Sequence, residues 1–208
     1  KGVSSAASDV YKRQTLNRAT DTTRQPGSTF KILAAYSAAL DAGGLTLASV
    51  QDDAPYTYAG ANGKSVNNYD RRYRGFTTLR EAITDSINIV TVKTLAQAGV
   101  SLGWQYVQEY GFTTVDSRDM NEALALGGIT QGVSNLELTA AYAAIANQGT
   151  YIKPKFYTKI LDHDGNVLID NTTPESHTVI KDTTAWLLTS AMEDVMTSGT
   201  GTSAYFGS

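Results

Sequence analysis

Two pairs of residues in this sequence have the types and spacing for acyl-transfer chemistry. Ser28 and Lys31 stand at i and i+3 within Gln25-Pro26-Gly27-Ser28-Thr29-Phe30-Lys31, so on a helix their side chains share a face and come within hydrogen-bonding reach. A serine hydroxyl is a weak nucleophile until a neighbour takes its proton, and a lysine takes it only where burial or nearby positive charge favours the neutral amine. The start of a helix, with its partial positive charge and orphan N–H groups, disfavours an ammonium at Lys31 and favours an alkoxide on Ser28. Ser86 and Asn88, in Thr84-Asp85-Ser86-Ile87-Asn88, add a second hydroxyl and a carboxamide. Neither pair is specific alone. Ser-x-x-Lys reads more simply as a serine helix cap followed by a solvated lysine, and Ser-x-Asn as a capping serine and a turn asparagine, with a second copy at Ser65-Val66-Asn67.

The elements that must hold these residues follow from periodicity. Pro26 and Gly27 make a turn, and Ile32, Leu33, Ala34, Ala35, Tyr36, Ala38, Ala39 and Leu40 are apolar nearly all round, which predicts a buried helix opened by Ser28 and closed by Gly43-Gly44. Residues 46–73 are rich in Asp, Asn, Gly and Tyr and read as loops and short extended pieces. Thr78 and Glu81 have the spacing of a capping box for a short helix through Ile83. A second helix carries the stripe Ile89, Val90, Val92, Leu95, Ala96 and ends at Gly99. Ser86 and Asn88 thus fall at a junction between two helices.

Further on, residues 101–110 make a helix with Trp104, Tyr106 and Val107 inward, stopped by Gly111. Residues 121–133 join small helices through Gly127-Gly128, and Ser134 with Glu137 forms another capping box, starting an alanine-rich helix that ends at Gly149. Residues 155–161 alternate like a strand, Asp164-Gly165 is a turn signal, and residues 166–170 return as the second arm of a hairpin. His163 lies at its tip and His177 in a polar loop, neither with partners for metal or acid–base work. Asp182 caps a last helix through Met196, with Trp186, Leu187 and Leu188 on its buried side.

A chain of 208 residues with 41% hydrophobic content is long enough for one domain with a substantial core. A net charge of −3 without a long basic run gives no electrostatic footprint for nucleic acid. The absence of cysteine excludes disulfides and thiolate metal sites. No stretch approaches the roughly 20 apolar residues of a membrane helix.

Asn17-Arg18-Ala19 with Arg24-Gln25-Pro26-Gly27-Ser28-Thr29-Phe30-Lys31 closely resembles the active-site approach of the penicillin-binding protein transpeptidases, particularly the bifunctional class A peptidoglycan synthases. Tyr73-Arg74-Gly75-Phe76-Thr77-Thr78-Leu79-Arg80-Glu81-Ala82 before Ser86 resembles their approach to a second motif, which selects Ser86 and Asn88 over Ser65 and Asn67. The longest match runs from the ALGG at residues 125–128 to the IKP at 152–154. The resemblance implies an α+β fold of the penicillin-binding-protein and serine β-lactamase type, represented here mostly by its helical lobe with a truncated antiparallel sheet. It implies that Ser28 attacks the carbonyl between two terminal D-alanines of a peptidoglycan stem peptide, with Lys31 as base. Ser86 would relay a proton to the departing amine, and Asn88 would bind the substrate amide. No metal or organic cofactor is expected, β-lactams are expected as covalent inhibitors, and the parent is expected at the outer face of the cytoplasmic membrane, anchored there and often carrying a glycosyltransferase domain.

Against that pattern, residues 1–14 look foreign or disordered, leaving residues 15–208 as a partial transpeptidase domain without its N-terminal strands. The family's third motif, Lys-Thr-Gly, occurs nowhere in the sequence. Gly199-Thr200-Gly201-Thr202 is not a degenerate copy, since it closes a helix and has glycine where lysine belongs. The expectation is a fragment that is inactive alone, with apolar surfaces exposed where the sheet should lie. A serine β-lactamase or D,D-carboxypeptidase, and a non-catalytic β-lactam sensor, are the alternatives sharing the serine–lysine chemistry.

Overall fold

The core assembles around the helical stretch that begins at Gly27. In the computed structural model, which describes residues 16–59 and 63–204, strand β1 (Thr23–Arg24) leads into a 3-10 turn over Gly27–Thr29, a π-helical turn over Ile32–Tyr36 and helix α1 (Ser37–Asp41). Residues 30–39 are all buried, as an apolar run with no polar stripe requires. The widened turn is not visible in that run. It is held by Ser37, whose N–H and hydroxyl both donate to the carbonyl of Ile32, the hydroxyl at 2.9 Å, while Tyr110 Oη meets the same hydroxyl at 2.9 Å.

Four short strands follow: β2 (Val50–Asp53), β3 (Tyr56–Thr57), β4 (Ser65–Val66) and β5 (Gly75–Thr78). Helices α2 (Leu79–Thr84), α3 (Asn88–Ala98) and α4 (Val100–Glu109) come next. After 3-10 turns at Ser117–Asp119 and Glu122–Leu126, strand β6 (Val133–Ser134) opens helix α5 (Asn135–Ala146). Strands β7 (Thr150–Ile152), β8 (Lys159–Leu161), β9 (Val167–Asp170) and β10 (Ser176–Thr178) precede helix α6 (Asp182–Thr197). The α+β class holds. Among the described residues the strands form five separate two-stranded antiparallel ladders: β1 with β6, β2 with β5, β3 with β4, β7 with β10 and β8 with β9. The segment at 1–14 singled out in the sequence lies outside the described residues.

Both predicted capping boxes form, Thr78 with Glu81 and Ser134 with Glu137. Helix α3 packs on the π-turn, and α4 packs beside it because Gly103 has no side chain. A Cβ there would stand 2.6 Å from the carbonyl oxygen of Ala34. Phe30 and Phe112 meet edge to face with centroids 5.0 Å apart. Helix α6 is tied to α2 by Arg80, whose Nε lies 2.6 Å from Asp194 Oδ2 and whose Nη2 donates to Ser190 Oγ at 3.1 Å.

Four local expectations need correction. Trp186 is 69% exposed, because the buried face of α6 is set by Thr184, Ala185, Leu188 and Ala191, and Trp186 lies one residue, or about 100°, beyond Ala185. Asp182 is the first residue of α6 and not its cap, which is Lys181 with no side-chain bond. His177 sits on β10 opposite Tyr151. The strand expected at 155–161 is confined to Lys159–Leu161, since Pro154 precedes it and Lys155 Nζ is drawn to the carbonyl of Thr172 at 2.8 Å.

Candidate active site

Lys31 follows the 3-10 turn and points into the core, where it is 3% exposed. Its Nζ donates to the Ser86 carbonyl at 2.6 Å, to Ser86 Oγ at 3.0 Å and to Asn88 Oδ1 at 2.6 Å. A residue 55 positions downstream supplies two of these contacts because of how α2 ends. Ser86 adopts φ +53°, a left-handed conformation that costs about 1–2 kcal/mol for a residue with a Cβ. The N–H groups of Ser86 and Ile87 close back on the carbonyls of Ile83 and Ala82 at 3.1 and 2.9 Å. This reversal lets the carbonyl and the hydroxyl of Ser86 reach the same ammonium.

Asn88 is the first residue of α3. Its Nδ2 donates to the Asn67 carbonyl at 2.8 Å, which fixes the carboxamide with its oxygen towards Lys31. Burial pulls Lys31 from its ordinary value of 10.5 down to about 7. Its three acceptors are all uncharged groups that stabilise the ammonium when present, so the buried side chain can hold or release a proton near neutral pH. Once neutral, an amine keeps two N–H donors and one lone pair, and the Ser86 hydroxyl can turn to donate into that lone pair.

Ser28 is exposed and opens onto two cavities. One, of about 390 Å³, is shared with Lys31 and Ser86 and walled by Ile32, Ile83, Tyr142, Met192 and Val195. The other, of about 570 Å³, is shared with Ser86 and Asn88 and rimmed by Tyr69, Asp70, Arg74 and Asp85. Lys31, Ser86 and Asn88 are joined by hydrogen bonds, whereas Ser28 is brought near them only through the cavities it shares with them and makes no hydrogen bond to Lys31 among the described residues. A separate cavity of about 600 Å³ lies between α5 and α6 beside Trp186, away from these groups.

The turn carrying Ser28 is held from several sides. Gln25 Oε1 accepts the Ile129 N–H at 3.0 Å and Gln25 Nε2 donates to the Ile129 carbonyl, a strand-like pairing made by a side chain. Thr29 Oγ1 donates to the Pro26 carbonyl at 2.7 Å, and Tyr142 Oη to the Thr29 carbonyl at 2.6 Å.

Several residues at the site were not legible in the sequence. Asn67 and Asn68 come from the unpatterned loop between β4 and β5, and nothing in their spacing links them to a helix 20 residues on. Thr200 lines both cavities, brought there by a turn whose N–H at Thr200 donates to the Thr84 carbonyl at 3.2 Å. The Gly-Thr repeat was the available signal, and it marks a helix end as expected.

The site thus sets a buried lysine, bonded to a serine and an asparagine, in the same region as an exposed serine three residues before it. The chain belongs to the family of the penicillin binding protein transpeptidase domain, whose family model matches residues 2–206. It is 38% identical over 196 residues to penicillin-binding protein 1F of Bacillus subtilis, a match covering 94% of this chain and 26% of that protein. It is 34% identical over 197 residues to penicillin-binding protein 1A of Streptococcus pneumoniae, covering 91% of this chain and 27% of that one. The chain thus spans about a quarter of the length of these relatives. The crystal structure of penicillin-binding protein 1A from Haemophilus influenzae superposes with a TM-score of 0.79 at 27% identity, over 93% of this chain and 34% of that one. Penicillin-binding protein A from M. tuberculosis, solved as an imipenem acyl-enzyme complex, has the same fold with a TM-score of 0.76 at 21% identity, over 92% of this chain and 49% of that one.

Proposed function

We propose that the protein to which this chain belongs is a D-alanyl-D-alanine transpeptidase that cross-links peptidoglycan stem peptides through an acyl-enzyme on Ser28. The observation that carries this reading is the buried Lys31 amine, tied to Ser86 and Asn88, with Lys31 and Ser86 lining a cavity onto which Ser28 opens. Neutral Lys31 takes the Ser28 proton as Oγ attacks the carbonyl carbon of the penultimate D-alanine. The C–N bond then breaks, the departing amine of the terminal D-alanine receives a proton through Ser86, and the acyl group remains as an ester on Ser28. The amine of a second stem peptide attacks that ester, gives up its proton along the reverse route, and frees the Ser28 hydroxyl. Asn88 orients the substrate amide and holds Lys31. β-Lactams acylate Ser28 as mimics of the donor peptide.

In this reading the parent protein works outside the cytoplasm at the outer face of the membrane, and its anchor and any glycosyltransferase domain belong to the rest of that protein. Among the described residues no helix is long and apolar enough to cross a membrane. Residues 15–208 are a part of the catalytic domain. The Lys-Thr-Gly strand contributes a carboxylate site and one oxyanion donor, and loss of a single such donor costs about 10² to 10³ in rate. By itself the 208-residue chain is accordingly expected to acylate negligibly.

The test is mass spectrometry of the full-length protein carrying this chain after exposure to labelled penicillin. One adduct per molecule is expected on Ser28, absent in Ser28→Ala and formed slowly in Lys31→Ala. A normal adduct in Ser28→Ala overturns the reading. Rapid turnover of a chromogenic cephalosporin favours the hydrolase alternative, and lasting acylation without cross-linking favours the sensor.

A further inference from the structure

Helix α3 begins without a cap of its own. Its cap position is Ile87, which has no side-chain hydrogen bond to offer, so the first N–H groups need an acceptor from elsewhere. They find one in Asn68, whose Oδ1 accepts from the N–H of Asn88 at 3.0 Å and of Ile89 at 3.2 Å. Asn68 is 4% exposed and cannot turn over. Its Nδ2 donates to both carboxylate oxygens of Asp53, at 2.8 and 3.0 Å, and to the Arg72 carbonyl at 2.8 Å. Asp53 is itself fully buried and accepts the Arg74 N–H at 3.0 Å. The Arg74 guanidinium stands 3.9 Å away.

The neighbouring residue acts on the same target. The Asn67 carbonyl accepts from Asn88 Nδ2 at 2.8 Å, so residues 67 and 68 grip Asn88 by its main chain and its side chain together. A buried carboxylate is costly unless fully hydrogen-bonded. Here its oxygens accept from one carboxamide and one main-chain turn, and both Asn68 and Arg74 line the larger cavity beside Asn88.

We propose that Asn68, locked by Asp53, is a positioning residue for the Lys31–Asn88 pair: it caps α3 from a distant loop and keeps the Asn88 carbonyl oxygen on the lysine amine. The proposal deepens the transpeptidase reading and rests on it for the reaction it serves. Asn68→Ala leaves two N–H groups without an acceptor and frees the start of α3, and a displacement of about 1 Å at a catalytic group can cost about 10² in rate.

Two readouts separate this from plain loss of stability. The first is the rate of penicillin acylation of the full-length protein in a double-mutant cycle. Asn68→Ala is expected to slow acylation by at least about tenfold, and to add little further in an Asn88→Ala background. The second is the titration of the Lys31 amine followed by NMR, which needs no reaction. It is expected to move in Asn68→Ala in the same direction as in Asn88→Ala.

A folded Asn68→Ala protein that acylates and titrates like the wild type overturns the proposal. So does a loss equally large in the Asn88→Ala background. If the wild type never acylates on Ser28, the transpeptidase reading fails, and the Lys31 titration alone still decides the positioning role. If Asn68→Ala does not fold, a swap replaces it. Asn68→Asp alone sets two carboxylates against each other. Adding Asp53→Asn restores a donor at 53 facing an acceptor at 68 and is expected to recover most of the lost rate. Failure of the swap to improve on Asn68→Asp also overturns it.

Discussion

Gly127 touches Gly27 backbone to backbone, one residue before the candidate nucleophile. A Cβ on Gly127 would stand 2.6 Å from the Gly27 carbonyl oxygen and 2.7 Å from its nitrogen, and Gly127 has φ +72°. The 3-10 turn Glu122–Leu126 therefore ends in a residue that has to be glycine for two reasons: a conformation L side chains avoid, and a contact with no room for a methyl group. Gly127→Ala is expected to displace the turn that carries Ser28 and to slow acylation by up to about 10², while costing more in stability than the about 1–2 kcal/mol of the left-handed conformation alone. Acylation at the wild-type rate in a folded Gly127→Ala protein would show that the contact does not set the position of Ser28.

Tyr142 supports the same turn from α5. Burial pushes its hydroxyl up to about 12, so it stays a donor at neutral pH, and it donates to the Thr29 carbonyl at 2.6 Å. Tyr142→Phe removes that bond and keeps the ring. A loss of about 0.5–1.5 kcal/mol is expected, read as a lower melting temperature. A Tyr142→Phe protein as stable as the wild type would mean that solvent replaces the bond.

The capping box of α5 gives a test remote from the chemistry. Ser134 Oγ accepts the Glu137 N–H at 3.2 Å, and Glu137 Oε2 accepts the Ser134 N–H at 3.1 Å. Ser134→Ala should cost about 1 kcal/mol and leave the rate of acylation unaltered. A large fall in acylation without a fall in stability would place Ser134 in the working site.

What was readable in the sequence was what rests on local patterning. The capping boxes at Thr78 and Ser134, the stop at Gly99 and the buried run after Lys31 each depend on residues a turn or two apart, so spacing carried them. Trp186 was misplaced because α6 buries a narrow face of small residues, and a large aromatic one position beyond it looks like core in sequence. The π-turn at Ile32–Tyr36 depends on Ser37 meeting Tyr110, 73 residues away. Ser28 and Lys31 could be picked out as a candidate pair because i and i+3 is a local relation, whereas the bonds Lys31 makes, to Ser86 and Asn88, are long-range. Ser86 and Asn88 needed the resemblance to separate them from Ser65 and Asn67. The loop of that rejected copy then returned to the site through Asn67 and Asn68, a tertiary contact that no periodicity announces.

The protonation of Lys31 sets the last prediction. Burial lowers it from 10.5 to about 7, so between these values the unfolded chain binds a proton that the folded chain has released. Stability attributable to Lys31 therefore rises with pH across that window, and below about 7 both states carry the ammonium, the folded one at the cost of its burial. Compared with Lys31→Met, the wild type should be relatively least stable in acid and should gain on it from about pH 7 to about pH 10.5. If Lys31 is the base of the proposed reaction, acylation should follow the same ionisation, since only a neutral amine could accept the Ser28 proton. The rate should rise with pH along a limb centred near 7, and the residual rate of Lys31→Met should lack that limb. The three acceptors around Nζ pull the other way, towards the ammonium, and substituting one of them reports the balance. Ser86→Ala removes an acceptor and should shift the limb to lower pH. A wild-type rate that stays flat through neutral pH would show that Lys31 is not the base, or that its amine is already neutral across the whole range measured, and the NMR titration of Nζ separates the two.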